Sequence, residues 1–92
     1  MKIVDLTIVI SLQHHGVGQP GSFWEISDGS EKIRLLTAEA QDLARRIDDR
    51  GERKVDRFIL EEECTTMGGE RIRLRMTGAA AKALSAAVHS SK

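Results

Sequence analysis

The sequence predicts a two-layer α+β fold for a single domain over residues 1–92, with two helices on one face of the sheet. Apolar and polar residues alternate in the opening segment, as they do in a half-buried strand. Two later hairpin motifs are each followed by a segment in which apolar residues recur with helical spacing. The predicted order is therefore β-β-β-α-β-β-α, about five mainly antiparallel strands arranged as an opening strand and two ββα units.

The opening strand is predicted over residues 2–12, where Val4, Leu6 and Ile8 begin an apolar face and the β-branched content is high. Residues 13–22 contain three glycines and the only proline, so they are predicted to form a loop.

The first ββα unit is indicated by Asp28-Gly29, a strong signal for a two-residue hairpin turn between strands 23–27 and 32–36. Such a turn pairs Glu25 with Lys32 and Trp24 with Ile33. Thr37 is the predicted N-cap of the following helix, which Gly51 is placed to end. The predicted buried positions of this helix are Ala40, Leu43, Ala44 and Ile47.

The second unit is predicted to open with a strand over residues 54–65, in which Phe58 and Leu60 point inward. Residues 67–69, Met-Gly-Gly, suit a three-residue hairpin loop with a glycine in the left-handed conformation. The resulting register pairs Thr66 with Glu70, Thr65 with Arg71, Glu63 with Arg73 and Glu61 with Arg75.

This register turns Glu62 toward the core, a conflict that a bulge or an edge position would relieve. It also places Ile72, Leu74 and Met76 on the inner face. Thr77 is the predicted N-cap of the second helix. The predicted apolar stripe of that helix consists of Ala80, Ala81, Leu84, Ala87 and Val88.

The charge and cysteine content narrow the class of protein. Lys plus Arg and Asp plus Glu each number 14, which argues against a polybasic nucleic-acid or membrane binder. Cys64 is the only cysteine, so no intrachain disulfide forms, and a half-buried structural thiol is predicted. We therefore expect a soluble cytoplasmic protein in a reducing compartment, without a membrane partner.

The motifs that resemble catalytic or cofactor sites lack their structural context. Residues 16–21 match G-x-G-x-x-G, but a strand rather than a helix is predicted to follow, which argues against dinucleotide binding. His14 and His15 are adjacent and point to opposite sides of an extended chain, so they are poorly placed to share a metal. We expect no catalytic residues, no metal and no cofactor, and hence no enzyme.

Arg71, Arg73 and Arg75 alternate along one strand and therefore share a face, joined by Lys32 and Arg34 if the two hairpins are coplanar. The same face also carries five apolar residues, namely Ile3, Val9, Phe23, Val55 and Ile59. The alternative interpretation of the arginines is a solvated ladder of salt bridges to Glu25, Glu61 and Glu63. Mixed arginine and apolar residues are typical of protein contact surfaces.

The leading hypothesis is a non-enzymatic protein-interaction module that acts as a homodimer. Small neutral domains without catalytic motifs are common among inhibitors and regulators of phage or mobile-element type, an association with size rather than a property of particular residues. The alternative is a nucleic-acid-binding regulator that uses the arginine strand and the basic C-terminal end. The predicted partner-binding residues are Phe23, Arg34, Arg71, Arg73 and Arg75, with His14 and His15 in a second surface.

Overall fold

A computed structural model describes residues 1–7, 10–50 and 59–90, with the side chain of residue 59 left out. It confirms the α+β class, and within these residues it shows six strands and two helices in the order β-β-β-β-α-β-β-α. The elements are β1 (Lys2–Leu6), β2 (Ser11–His15), β3 (Phe23–Ser27), β4 (Lys32–Leu36), α1 (Thr37–Asp49), β5 (Ile59–Thr65), β6 (Arg71–Thr77) and α2 (Gly78–Ser90).

The predicted opening strand over residues 2–12 is two strands in two different sheets. β1 pairs in parallel with β6 in sheet A, whose order is β1-β6-β5. β2 pairs antiparallel with β3 in sheet B, whose order is β2-β3-β4. The prediction of five strands in one sheet was wrong because alternation defines an extended chain but not the partner with which it pairs.

The loop predicted over residues 13–22 begins later than expected. β2 continues through His14 and His15, and the turn region starts at Gly16, which has φ of +69°. Pairing with β3 keeps these two residues extended. The sequence did not predict this, because both residues are polar and lie next to a glycine-rich segment.

The first hairpin has a longer loop than predicted. Asp28 accepts hydrogen bonds at Oδ1 from the backbone N–H groups of Ser30 and Glu31, at 2.9 and 2.8 Å. These donors, that of Glu31 foremost, lower the pKa of the Asp28 carboxyl. The resulting register pairs Glu25 with Arg34 and Trp24 with Leu35, two residues away from the prediction. A slip of two residues preserves the faces, so Trp24, Ile33 and Leu35 are buried together as predicted.

Helix α1 buries the four predicted residues, Ala40, Leu43, Ala44 and Ile47. Its N-cap is Leu36 rather than Thr37, which is the first helical residue and does not cap the helix with its side chain. Helix α2 begins as predicted, because the Thr77 Oγ1 accepts a hydrogen bond from the backbone N–H of Ala80 at 3.1 Å. Gly51 lies outside the described residues.

The second hairpin confirms the predicted register from Glu61–Arg75 to Thr65–Arg71. The Thr66 backbone N–H donates to the Glu70 carbonyl at 2.8 Å and closes the three-residue loop. Phe58 and residues 54–57 of the predicted strand lie outside the described residues, while Leu60 packs against the core.

Gly69 has φ of +88°, a conformation that an L-residue adopts only at a cost. We expect Gly69→Ala to lower the free energy of unfolding by about 1–2 kcal/mol through backbone strain. The matched control is Gly68→Ala, whose new Cβ would lie at ordinary contact distance, 4.0 Å, from Thr66 Oγ1. Urea unfolding of both variants would contradict the expectation if they were equally stable.

The inner faces of both sheets and the apolar faces of the helices enclose one hydrophobic core. Helix α1 contacts both sheets through β3, β4 and β5, while α2 packs on β5 and β6. Among the largest fully buried side chains are Leu6, Ile26, Leu35, Leu43, Ile72, Leu74, Met76 and Leu84. Within the described part of the chain, neither helix has the length and apolar character needed to cross a membrane.

Glu62 points into this core, as the register predicts, and is only 9% exposed. β5 is an edge strand of sheet A, and its described pairing with β6 continues without a bulge. The carboxylate is compensated from α1 and its C-cap, since Arg46 Nη1 lies 3.1 Å from Oε1 and Arg50 Nε lies 2.5 Å from Oε2. The two arginines also donate to the carbonyls of Glu63 and Glu61, so they join the end of α1 to β5.

Candidate functional site

The structure divides the predicted partner-binding residues between two sheets. Arg71, Arg73 and Arg75 lie on the outer face of sheet A, whereas Phe23 and Arg34 lie on the outer face of sheet B. The two hairpins therefore do not belong to one sheet, and Arg34 does not share a face with the three arginines of β6. Each surface has its own chemistry.

The arginines of sheet A form ion pairs with their neighbours. Glu63 receives two of them, with Arg71 Nη2 at 3.6 Å and Arg73 Nη2 at 3.3 Å. Arg75 Nε lies 3.5 Å from Asp5 Oδ1 on β1. Because Asp5, Glu61 and Glu63 balance the three arginines, this ladder carries no net formal charge. It therefore offers little attraction to a polyphosphate chain, whose binding depends on unbalanced positive charge.

The apolar part of this face is small within the described residues. Ile3 is 52% exposed on β1 and lies beside Arg73 on β6. Val9 and Val55, which were expected on the same face, lie outside the described residues, as does the side chain of Ile59.

The outer face of sheet B carries a row of one histidine and two apolar side chains across its three strands. His15 pairs with Phe23, and Phe23 pairs with Leu36. The rings of His15 and Phe23 are stacked, with centroids 4.9 Å apart, and Leu36 is 42% exposed. We call these three residues the Phe23 strip.

Charged residues lie directly beside the Phe23 strip. In the next row of the sheet, Arg34 Nε donates to Glu25 Oε2 at 3.0 Å, and the Arg34 side chain is 55% exposed. Lys32 follows on β4 and is exposed. An apolar centre bordered by an accessible arginine matches the composition of protein-binding surfaces.

His14 faces inward, on the opposite side from His15, as the extended backbone predicts. Its ring stacks on that of Trp24, with centroids 4.5 Å apart and an interplanar angle of 6°. Its Nε2 is 3.0 Å from Thr37 Oγ1, which is itself 2.7 Å from Ser22 Oγ. This network joins β2, the glycine-rich loop and the start of α1. His14 thus contributes to the interior rather than to either outer face.

A second polar cluster joins the C-terminal parts of the helices. Asp48 on α1 accepts a hydrogen bond from Ser85 Oγ at 2.6 Å, and its Oδ2 lies 2.5 Å from His89 Nε2 on α2. Both groups bind the carboxylate, so the histidine does not act as a base toward the serine in this arrangement. The cluster holds the two helices together.

The hydrogen bonds from Ser85 and His89 lower the pKa of Asp48. A carboxyl with a lowered folded-state pKa stabilises the fold above its unfolded pKa, and the contribution disappears as the pH falls through the folded value. We expect Asp48→Asn to be less stable than the parent at neutral pH, with a difference that shrinks below about pH 4. Thermal unfolding against pH would measure it, with Asp49→Asn as the neighbouring control. A difference independent of pH would contradict the expectation.

Cys64 lies in β5 and is fully buried rather than half-buried as predicted. Burial raises the pKa of its thiol to about 11. We expect an aromatic disulfide reagent at mildly alkaline pH to react about 100-fold more slowly with the folded protein than with the urea-unfolded chain. Equal rates in the two states would show that the thiol is accessible.

No group of three or more His, Cys, Asp or Glu side chains in the described ranges is arranged to hold a metal ion. The residue missed by the sequence interpretation is Leu36, which completes the Phe23 strip. Leu36 could have been found from the strand pairing, because it lies opposite Phe23. The predicted hairpin register was wrong by two residues and therefore did not pair them.

No protein-family model matches the chain, and no curated protein or solved structure shows significant similarity to it.

Proposed function

We propose that the chain is a non-enzymatic interaction module that binds another protein through the outer face of sheet B. The observation that carries the proposal is the Phe23 strip, in which Phe23 and Leu36 lie beside the His15 ring on the face turned away from the core. Burying such a row against a partner removes apolar surface from water, which is the main favourable contribution in protein association.

The neighbouring charges favour a protein over a nucleic acid as the partner. Arg34 beside the strip provides directional contacts to a carboxylate or a carbonyl group. The arginine ladder of sheet A is neutralised by its own carboxylates, which weakens the case for a phosphate-binding surface. A protein that binds a partner without catalysing a reaction acts by covering part of the partner's surface. We therefore propose an inhibitory or regulatory role.

The test is affinity capture from lysate of the source cells with the tagged chain, with and without nuclease. We expect a nuclease-resistant protein at near-stoichiometric yield. Its capture should be lost with Phe23→Ser and retained with Arg73→Ser, which alters the other sheet. Capture that depends on nucleic acid, or that persists in Phe23→Ser, would overturn the assignment to this face. Circular dichroism of both variants would verify that the fold is retained.

We also propose that the chain forms a homodimer in the cytoplasm. Among the described strands, β1 and β5 form the edges of sheet A, and β2 and β4 form those of sheet B. Small sheets commonly cover such edges by association. A lone buried cysteine suits a reducing compartment. Light scattering over a range of concentrations would reveal a monomer if the dimer is wrong, and cell fractionation tests the compartment.

A further inference from the structure

A cleft lies where β4, the loop between β5 and β6, and the start of β1 approach one another. Its volume is about 370 Å³, and it opens to solvent. Met67, which is 42% exposed, contributes apolar surface to the cleft, above a base formed by the core residues Val4, Ile33 and Ile72. The Met67 backbone N–H donates to the Arg34 carbonyl at 2.8 Å, which ties the loop to the edge of β4 and fixes one wall.

Positive charge predominates around this cleft although the whole chain is neutral. Lys2 from sheet A and Lys32 from sheet B both line it, and neither forms an ion pair with another described residue. Arg34 also lines the cleft, but its guanidinium is paired with Glu25, and Glu70 is the one carboxylate among the lining residues of the described chain. An occupant that complements these charges is acidic.

The backbone at the cleft suits an extended chain. In an antiparallel strand the N–H and C=O groups of every second residue point to the same edge. The Arg34 carbonyl points away from β3 to meet Met67, so the backbone groups of Lys32 point to the same outer edge of β4. A segment lying along this edge can therefore pair with Lys32 while it places a side chain against the apolar surface of the cleft.

We propose that this cleft receives an extended acidic peptide segment of the partner protein, in which an aliphatic side chain is flanked by carboxylates. The inference rests on the proposed function and specifies the chemistry of the partner. The aliphatic side chain packs against Met67 and the edge of Ile33, and the flanking carboxylates meet Lys2 and Lys32. A free small molecule would remain largely exposed in so open a cleft, whereas a chain anchored elsewhere on the surface need not be enclosed.

The test is an NMR titration of the ¹⁵N-labelled full chain with the probe peptide Ac-Glu-Asp-Leu-Asp-Glu-amide. We expect saturable shifts at the amides of Lys32, Ile33, Gly68 and Ile72. Lys2→Glu and Lys32→Glu should each weaken binding by about tenfold. Lys82→Glu, the same change at an exposed position on α2, should leave the affinity unchanged. A peptide with serine in place of leucine should also bind more weakly.

Several outcomes would overturn the proposal. These are the absence of saturable shifts, equal binding of a peptide in which lysines replace the acids, or equal affinities of the Lys32→Glu and Lys82→Glu variants. Phe23→Ser should not affect the peptide titration, because Phe23 is not among the residues that line the cleft. If the peptide fails to bind while partner capture still depends on Phe23, the cleft assignment falls and the proposed function stands. If capture does not depend on Phe23 while the peptide binds, the assignment of binding to the Phe23 strip falls and the cleft assignment stands.

Discussion

Replacing Glu62 with alanine is expected to lower the free energy of unfolding by about 2 kcal/mol, because it removes the buried carboxylate that Arg46 and Arg50 share, while Arg46 keeps its ion pair with Asp42. The carboxylate is 9% exposed and contacts both Arg46 and Arg50. The expected cost lies below that of a fully buried pair, since the arginine side chains retain 29% and 46% of their exposure.

Urea unfolding of Glu62→Ala beside Glu61→Ala would measure this effect. Glu61 is the preceding residue of β5 and points to the exposed outer face, so its loss should change stability by less than about 0.5 kcal/mol. A Glu62→Ala variant as stable as Glu61→Ala would show that the arginines do not depend on the inward carboxylate. Glu62→Gln separates the contribution of the charge from that of packing, because it keeps the shape of the side chain and removes the charge.

Leu74→Ala is expected to lower the free energy of unfolding by about 3 kcal/mol. Leu74 is fully buried in β6, the central strand of sheet A, between Val4 on β1 and Glu62 on β5. Removing its isobutyl group loses apolar burial and leaves a cavity beneath both neighbouring strands. In a small domain, such a loss is a large fraction of the total stability.

The matched control for Leu74→Ala is Arg75→Ala, the next residue on the same strand but on the outer face. Arg75 contacts Asp5 at 3.5 Å in a partly exposed ion pair, which contributes at most about 1 kcal/mol. Chemical denaturation of both variants should give clearly different midpoints. Equal denaturation midpoints would contradict the expectation that the buried face of β6 contributes more to stability than its outer face.

The elements that the sequence predicted well are those whose cause is local. The Met-Gly-Gly loop fixes the pairing of Glu63 with Arg73, because a turn with a left-handed glycine permits few registers. The buried face of α1 follows from the spacing of its apolar residues. The first hairpin shows the limit, since the hydrogen bonds of Asp28 produce a longer loop, while the period of two still places Trp24 on the correct face.

The candidate surfaces depended on contacts between distant residues. Phe23 and Arg34 follow from the hairpin, but their separation from the arginine ladder follows from the division of the strands into two sheets. The cleft exists because the loop at Met67 reaches Arg34 on β4, a contact that neither segment encodes alone. Sequence periodicity could therefore name most of the residues on the outer faces, but it could not say which of them lie together.

Within the described residues, the sequence by itself determined which strand and α1 residues turn inward, the register of the second hairpin and the start of α2. These depend on side-chain alternation, helical spacing and turn chemistry within a few residues. Only the tertiary structure decided that residues 2–12 serve two sheets, that β1 runs parallel to β6, and that Arg46 and Arg50 compensate Glu62. These features join segments far apart in the chain, where the free energy of packing the whole core, rather than any local preference, selects the partner.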